Sequence, residues 1–277
     1  MANTGNESYF KFLFMNAADI SISGLVFGLL LVVPTMLLIW RLRLDFNKSL
    51  VISVARMLIQ LGFVAVYLKY IFLLDHVLIN FAYVLVMILV AAFSGIRNSS
   101  LRLKKLLVPT FVSMLLPTLF TLLYFNAFIV QLPNVFQADV MIPIAGLMLG
   151  NVLKTNIVAL KSFFNMARKE EKIYLFLLAA GASRQEAARP FMKEAIRTAM
   201  APNLATMATV GLVSLPGVMT GQILGGSDPV LAVKYQIMVM IIIFFTSILS
   251  NVLQLFFAIR QGFDRYDKLD RSLFSKK

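Results

Sequence analysis

The sequence predicts an all-α fold: a polytopic bundle of about seven transmembrane helices, with the N-terminus outside the cell and the C-terminus in the cytoplasm. Of the 277 residues, 60% are hydrophobic and only 14% are charged, which is far from the composition of soluble domains. Apolar runs of about 20 residues, long enough to cross a hydrocarbon core of ~30 Å, recur along the chain. Lysines and arginines collect in alternate connections between these runs, as they do on the cytoplasmic side of membrane proteins.

The apolar runs place the predicted spans, in chain order, at residues 20–40, 49–70, 77–95, 106–130, 139–160, 198–225 and 230–259. Of the 26 lysines and arginines, 22 fall on one side of the predicted membrane, Lys11, Lys69 and Lys234 fall on the other, and Arg56 lies within a span. The positive-inside rule assigns the basic side to the cytoplasm. We therefore expect residues 1–277 to form one transmembrane domain, in which residues 161–197 are the single large cytoplasmic segment and residues 260–277 are a basic cytoplasmic tail.

Composition also excludes several classes of function. The formal charge of +13 is spread between the apolar runs, so it orients the chain in a membrane and does not indicate nucleic-acid binding. The chain has no cysteine and one histidine, His76, which leaves no set of thiolates or imidazoles for a metal site or for nucleophilic catalysis. No predicted span carries a central carboxylate, so neither a hard-cation site nor a proton relay is indicated. We expect no cofactor bound by this chain and no catalysis by this chain alone.

Two spans carry polar residues that are candidates for a transport pathway. Arg56 and Gln60 are four residues apart in the second span, so they share one helix face. Arg56 can line a pathway, or it can extend to the nearby cytoplasmic surface. In the fifth span, Gly146 and Gly150 are four apart and Asn151 follows. Small residues at this spacing let helices pack closely.

The cytoplasmic segment 161–197 contains the run GASRQEAARP, residues 181–190. Gly181 is a natural helix stop, and Ser183 with Glu186 fits a capping box that starts a new helix. Pro190 is then expected to begin a further helical piece. The result is a compact cytoplasmic projection, and the alternative is an amphipathic connector lying at the lipid headgroups.

The end of the sixth span is unusually rich in glycine. Gly217, Gly221 and Gly225 are spaced by four, with Thr220 and Gln222 beside them, so one continuing helix would present a glycine face. Pro216 predicts a kink near the middle of this span. Gly225-Gly226 is expected to end the helix, and Asp228 with Pro229 to begin the next. The glycines either pack against a neighbouring helix or mark a discontinuity that faces substrate.

At these residues the sequence closely resembles the FetB family, which comprises membrane permeases of ABC transporters implicated in bacterial iron export. The resemblance is carried by SLPGVMTGQILGGSDPVLAVKYQI (214–237), and RMLIQL (56–61) and PIAGLMLGN (143–151) match further family segments in the same order. It covers essentially the whole chain. Related plant proteins are linked to aluminium tolerance and sugar-nucleotide transport, so iron is one of several substrates that the resemblance allows.

The resemblance implies a separate ABC ATPase subunit that uses ATP and Mg²⁺, and the absence of a G-x-x-x-x-G-K-[ST] motif agrees with this division of labour. It also implies a homodimer in the bacterial plasma or inner membrane, with a metal ion or metal complex as substrate. The residues expected to couple to the ATPase are Gly181, Ala182, Ser183, Arg184, Glu186 and Arg189. Leu175 stands where ABC importers have glutamate, so importer-style docking is not implied.

We therefore expect a permease subunit that exports iron or another metal ion. The alternatives are a stand-alone secondary transporter or channel and, less favoured, an intramembrane enzyme, for which the spans hold too few ionisable groups. The residues expected to line or gate the pathway are Arg56, Gln60, Asn151, Thr220 and Gln222. Those expected to pack helices closely are Gly146, Gly150, Gly217, Gly221 and Gly225.

Overall fold

The computed structural model describes residues 20–99, 101–264, 267–270 and 272, and these residues form helices without a β-strand. The predicted all-α fold is confirmed. In chain order the helices are α1 Ile22–Leu30, α2 Val32–Arg41, α3 Asn47–Leu74, α4 Val77–Asn98, α5 Leu103–Tyr124, α6 Ala138–Lys169, α7 Glu171–Ala179, α8 Arg184–Thr209, α9 Gly217–Leu224 and α10 Pro229–Gly262, with a π-helical turn at Phe125–Ile129. Part of the predicted basic tail, like Lys11, lies outside the described residues.

Within the described ranges, six helical stretches are long and apolar enough to cross a membrane. They are Ile22–Arg41, Asn47–Leu74, Val77–Asn98, Lys105–Ile129, Ala138–Lys169 and Pro229–Gly262. These stretches coincide with six of the seven predicted spans. The fifth ends at Lys169 and so continues about two and a half turns beyond the predicted end at residue 160, since each turn takes about 3.6 residues.

The predicted sixth span, residues 198–225, is not one kinked helix, and that prediction is wrong. Helix α8 ends at Thr209, and α9 begins only at Gly217. Gly211 adopts φ +86°, which a right-handed helix cannot contain, and its amide donates to the Ser214 carbonyl at 2.9 Å. Pro216 then follows without an amide donor of its own. The chain therefore leaves the helix completely between α8 and α9.

The turn after α9 follows the prediction. Gly226 has φ +89°, and the Ser227 amide donates to the Gln222 carbonyl at 2.9 Å, which closes a glycine-dependent helix end. The Asp228 carboxylate accepts from the Val230 amide at 2.6 Å. Pro229 is the first residue of α10, where its missing donor is not needed.

Pro190 does not begin a separate helical piece, contrary to prediction, because α8 continues through it from Arg184 to Thr209. Ala187, Ala188 and Phe191 are buried on either side of the proline. Packing of these residues holds the helix together although the Glu186 carbonyl loses the amide that would bond to it. The predicted coupling segment, residues 161–197, thus comprises the end of α6, all of α7 and the start of α8, with a turn at residues 180–183.

By its internal contacts the chain divides into two compact units, Met1–Leu74 with Gly217–Val233, and Asp75–Pro216 with Lys234–Lys277. The first unit buries almost nothing within the chain: α3 has no buried residue and α2 has only Ile39. Apolar helices of this kind are stable in lipid or in contact with other helices. The second unit contains the hydrophobic core, in two clusters.

The two core clusters lie in different parts of the second unit. One lies among α4, α5, α6 and α10 and includes Met114, Met148 and Ile242. The other joins the ends of α6 and α10 to α7 and the start of α8, and its largest fully buried side chains include Tyr174 and Phe163. The second cluster therefore fixes the coupling segment to the bundle.

The connection before α6 is held by Asp75. Its Oδ1 accepts from the Ala138 amide at 2.9 Å and from Asn80 Nδ2 at 3.0 Å. Gln137, which precedes α6, makes no side-chain cap, so Asp75 supplies the acceptor that the first turn needs. Asn80 also donates to the Phe136 carbonyl at 2.9 Å, and Asn126 donates to the Val135 carbonyl at 2.7 Å.

Candidate functional site

The turn between α7 and α8, which we call the coupling turn (residues 180–183), is a well-defined structure. Gly181 has φ +94°, and its amide donates to the Leu178 carbonyl at 3.0 Å while the Ala182 amide donates to the Leu177 carbonyl at 3.0 Å. This pair of bonds is a Schellman motif. The predicted helix stop at Gly181 is confirmed.

Ser183 begins α8 through the predicted capping box. Its side chain accepts from the Glu186 amide, and the Glu186 carboxylate accepts from the Ser183 amide at 2.8 Å. The hydroxyl of Ser183 also donates to Glu186 at 2.7 Å. Hydrogen bonds from Ser183 lower the pKa of Glu186, so the carboxylate stays charged beside the positive end of the helix. One acidic side chain thus fixes the start of α8.

Arg184 is the first residue of α8, and its guanidinium binds the far end of the chain. Nε donates to Asp267 Oδ1, Nη2 to the Asp264 carbonyl at 3.0 Å, and Nη1 to the Arg260 carbonyl at 3.3 Å. A cation is unfavourable at the N-terminus of its own helix but favourable at the C-terminus of another. The negative C-terminal end of α10, which ends at Gly262, therefore stabilises the Arg184 guanidinium.

The residues after α10 form a short segment that we call the C-terminal strap: Phe263, Asp264 and residues 267–270. The Phe263 ring stacks on Tyr174 of α7, with centroids 4.8 Å apart. At the other end of the strap, Asp270 pairs with Lys105 Nζ of α5 at 2.5 Å. The bond from Lys105 lowers the pKa of Asp270 to about 2. The strap therefore contacts α5, α7 and α8.

Tyr174 is the buried centre of this region. It is 1% exposed, and within the described part of the chain its hydroxyl has no hydrogen-bond partner. Burial, followed by the charge of Asp267, raises the pKa of Tyr174 to about 12, because both disfavour the phenolate. Its aromatic ring, rather than its hydroxyl, holds α7 against the strap.

Between the spans of the second unit runs a row of buried polar side chains, which we call the polar seam. They lie on α5, α6 and α10, and they are Thr110, Ser113, Thr118, Thr121, Thr155, Asn156, Thr246, Ser247, Ser250, Asn251 and Gln254. Polar groups are costly in a membrane interior and mark helix contacts or solute paths. The sequence analysis missed this feature.

Three contacts across the seam join α10 to its neighbours. Asn156 of α6 donates to Ser250 Oγ at 3.0 Å. Gln254 Nε2 donates to Thr110 Oγ1 of α5 at 3.5 Å, and Asn251 Nδ2 lies 3.5 Å from the sulfur of Met200 in α8. Each neighbouring helix thus contacts a different residue of the α10 seam.

The register of α5 and α10 follows from two of their contacts. Thr110 meets Gln254, and the Phe120 and Phe245 rings lie 6.2 Å apart. The two helices are therefore antiparallel, and Ser247 lies near the level of Thr118, since each residue advances a helix by ~1.5 Å.

Several oxygens of the seam have no hydrogen-bond partner among the described residues: Thr118 Oγ1, Thr121 Oγ1, Ser247 Oγ, Asn251 Oδ1 and Gln254 Oε1. Other seam hydroxyls bond to their own helix, as Thr246 does to the Ile242 carbonyl at 2.6 Å. A buried unpaired acceptor costs roughly 1–3 kcal/mol. The seam therefore has spare acceptor capacity for water or for a solute that donates hydrogen bonds.

Of the residues predicted to line a pathway, four belong to the first unit and Asn151 belongs to the second. Arg56 and Gln60 are exposed on α3. Asn151 is half-buried on α6, and its Nδ2 donates to the Leu147 carbonyl of its own helix at 2.9 Å. Thr220 and Gln222 are half-buried on α9. Their role in a pathway stays a prediction.

The predicted packing glycines have different surroundings within the chain. A Cβ at Gly146 would lie 3.4 Å from the Met87 side chain, and one at Gly225 would lie 3.1 Å from the Gly221 carbonyl. At Gly150, Gly217 and Gly221 a Cβ would meet no other atom within 4 Å. These three positions are open within the unit that contains each of them.

The described residues contain no group of three or more His, Cys, Asp or Glu side chains that could hold a metal ion. The polar seam offers hydroxyl and amide groups with the thioether of Met200. Neutral ligands of this kind hold a metal ion weakly compared with carboxylates or thiolates. The described side chains of the seam therefore differ from the ligand set of a tight metal site.

Comparison with known proteins gives the family. The model of the Uncharacterised protein family (UPF0014) matches residues 22–263. The chain belongs to this family. This UPF0014 protein is 31% identical to the probable iron export permease protein FetB of Escherichia coli K12, across 95% of this chain and 100% of FetB. The resemblance to the FetB family found in the sequence is thereby confirmed.

Other relatives of this UPF0014 protein are membrane proteins of bacteria and plants. It is 31% identical to the membrane protein YjkA of Bacillus subtilis over 75% of this chain and 80% of YjkA. It is 28% identical to ALUMINUM SENSITIVE 3 of Arabidopsis thaliana over 90% of this chain and 89% of that protein. No solved structure matches the chain.

Proposed function

We propose that this membrane protein is the permease subunit of an ABC transporter that exports iron or another metal ion, using ATP hydrolysed by a separate ATPase subunit. The observation that carries the proposal is the similarity to FetB, named a probable iron export permease, along the whole of that protein. Because the match covers 95% of this chain and 100% of FetB, it supports a shared role and not only a shared structural fragment.

The coupling turn supports the proposal from the structural side. A subunit that receives force from an ATPase needs a rigid projection on its cytoplasmic side. The Schellman motif at Gly181 and the capping box at Ser183 provide one, and the positive-inside rule places it in the cytoplasm. In this proposal the turn docks in the ATPase, and Arg189, exposed on α8, contacts it.

The exposed helices of the first unit support assembly as a homodimer. Helix α3 is 28 residues long and buries none of them within the chain, and Gly221 offers an open approach for another helix. In a bilayer, small residues allow close contact between helices of two chains. We place the dimer in the bacterial plasma or inner membrane.

The mechanism follows from these parts. ATP binding draws the two ATPases together, and each one moves a coupling turn. Helix α8, which begins at that turn, contacts the polar seam at Met200, so motion of the turn reaches the buried polar residues. Alternating access of the seam to the two sides then carries the ion outward.

The test uses purified permease and a candidate ABC ATPase subunit, reconstituted together in lipid vesicles. We expect ATP-dependent movement of ferrous iron toward the side opposite the ATPase. The matched control replaces the phosphate-loop lysine of the ATPase, which abolishes its hydrolysis. Iron flux that needs no ATPase and follows an ion gradient would instead establish a secondary transporter or channel.

A further inference from the structure

We propose that Arg184 links the coupling turn to the C-terminal strap. Motion of the turn then reaches α10 and α5 through the strap, in addition to reaching α8 directly. The inference rests on the proposed function, because it names the route by which an ATPase-driven movement enters the spans. It assigns a positioning role to Arg184, Asp267 and the Lys105–Asp270 pair.

The first step is the geometry of Arg184. Its guanidinium donates to three acceptors, and all three lie at the end of α10 or in the strap: the Arg260 carbonyl, the Asp264 carbonyl and the Asp267 carboxylate. Asp267 is 83 positions away in sequence. A guanidinium held in three directions transmits displacement better than a single flexible ion pair, because its planar fork fixes orientation as well as distance.

The second step is the stiffness of the strap. The Asp264 amide donates to the Lys268 carbonyl at 2.8 Å, and the Lys268 amide donates back to Asp264 Oδ1 at 2.9 Å. The Asp270 amide donates to the Gly262 carbonyl at 2.9 Å. Leu269 is 6% exposed and packs in the same cluster as Phe263. The strap therefore moves with the end of α10.

The third step is the far anchor. Lys105 lies in the first turn of α5, and it pairs with Asp270 at 2.5 Å. The strap thus joins the end of α10 to the start of α5, and these two helices carry all of the unpartnered seam oxygens named above, including Thr118 Oγ1 and Ser247 Oγ. A displacement of the strap by Arg184 therefore acts on two of the three helices that carry the seam.

The experiment measures transport and hydrolysis together. Arg184→Ala, Asp267→Asn and wild type are reconstituted with the ATPase, and iron moved per ATP hydrolysed is compared. We expect Asp267→Asn, which leaves the coupling turn itself unchanged, to keep ATPase binding and hydrolysis while the ratio falls about fivefold or more, the lower end of typical coupling between sites. Arg184→Ala should lower the ratio at least as far. Lys193→Ala is the matched control, since Lys193 is an exposed base on the same helix, and it should keep the ratio.

A restoring variant separates a positioning role from general damage. The chain has no cysteine, so Arg184→Cys with Asp267→Cys can be joined by a short bifunctional thiol reagent. We expect the double variant to be uncoupled before cross-linking and recoupled after it. A cross-linked protein with the same low ratio, or an Arg184→Ala protein with an unchanged ratio, would overturn the inference.

A measurement without the ATPase keeps the two proposals distinguishable. Hydrogen exchange is followed in the permease alone, in lipid nanodiscs. Arg184→Ala should raise exchange at the C-terminal end of α10 and leave the middle of α10 unchanged. Raised exchange together with no ATP-dependent transport by wild type would contradict the proposed function and leave the link between Arg184 and α10 supported. Unchanged exchange at that end would count against the strap itself.

Discussion

At the scale of single residues, the coupling segment is built from local and distant contacts. The Gly181 stop and the Ser183–Glu186 capping box were predictable, because each bond spans three to five residues and depends on residue types that favour these ends. The partner of Arg184 was not predictable, because Asp267 is 83 residues away. Nothing in the local pattern distinguishes Arg184 from Arg189.

Tyr174 gives a prediction at this scale. The Tyr174→Phe variant should be as stable as wild type or more stable at neutral pH, because the hydroxyl is buried without a partner in the described chain and its loss removes an unpaired polar group. The folded-state pKa of Tyr174 is raised from 10.0 to about 12. The free energy of unfolding of the wild type is therefore unaffected by Tyr174 ionisation below pH ~10, and it falls as the pH rises through about 12, because the unfolded phenol ionises more easily than the folded one.

The measurement is the unfolding midpoint of both proteins between neutral pH and about pH 12. Wild type should lose stability over the alkaline part of this range, and Tyr174→Phe should lose less. Tyr70→Phe, which changes an exposed tyrosine, serves as the control and should follow wild type. If the unfolding midpoints of wild type and Tyr174→Phe fell equally with rising pH, ionisation of the buried phenol would not be linked to unfolding.

At the scale of elements, the predicted spans agree with the structure where the length of an apolar run is enough to identify a span. The sixth span failed because the apolar run 198–225 does not show that Gly211 takes a positive φ. The polar seam was missed although TSILSNVLQ, residues 246–254, places Ser, Thr, Asn and Gln at intervals of three and four. That spacing identifies one face of α10, but not which helices cover it.

The bond between Asn156 and Ser250 gives a prediction for the seam. Both side chains are fully buried, so Asn156→Val or Ser250→Ala alone leaves one polar group unpaired and should cost about 1–2 kcal/mol of unfolding free energy. The double variant should cost less than the two single variants together, because the second change removes the group left unpaired. Denaturant unfolding in mixed micelles measures all three.

Thr246 supplies the control for this cycle, since its hydroxyl bonds to the Ile242 carbonyl of its own helix. Thr246→Val combined with Asn156→Val should be additive. Strict additivity in the Asn156 and Ser250 pair as well would mean that their hydrogen bond does not stabilise the packing of α6 on α10.

At the scale of the whole molecule, function depends on surfaces that one chain leaves uncovered. The sequence correctly identified the family and the class of membrane protein, because these depend on composition and on long matching segments. It did not show that the first unit buries almost no side chains. Burial depends on three-dimensional packing, and apolar helices facing lipid, a partner or a core share the same composition.

Gly221 gives the prediction for this scale. A Cβ there would meet no atom of the chain within 4 Å, so Gly221→Leu should leave insertion and the stability of one chain unchanged. If two chains pack through this face, the leucine separates them, and both dimer content and iron transport should be lost. Mass measurement in nanodiscs and vesicle flux assays check the two effects.

Val108→Leu is the control, because Val108 is exposed on α5 of the second unit, and it should keep both dimer and transport. A Gly221→Leu protein that remains dimeric and transports normally would refute close packing at this face.

The contact between Asp75 and the start of α6 has a consequence for biogenesis. The first amide of α6 is capped by a carboxylate that lies 63 residues earlier in the chain. A ribosome therefore delivers Asp75, and Asn80 beside it, to the translocon well before Ala138 emerges. When α6 enters the bilayer, the Asp75 carboxylate that accepts from its first amide has already been synthesised. The order of synthesis therefore matches the order in which these polar groups need partners.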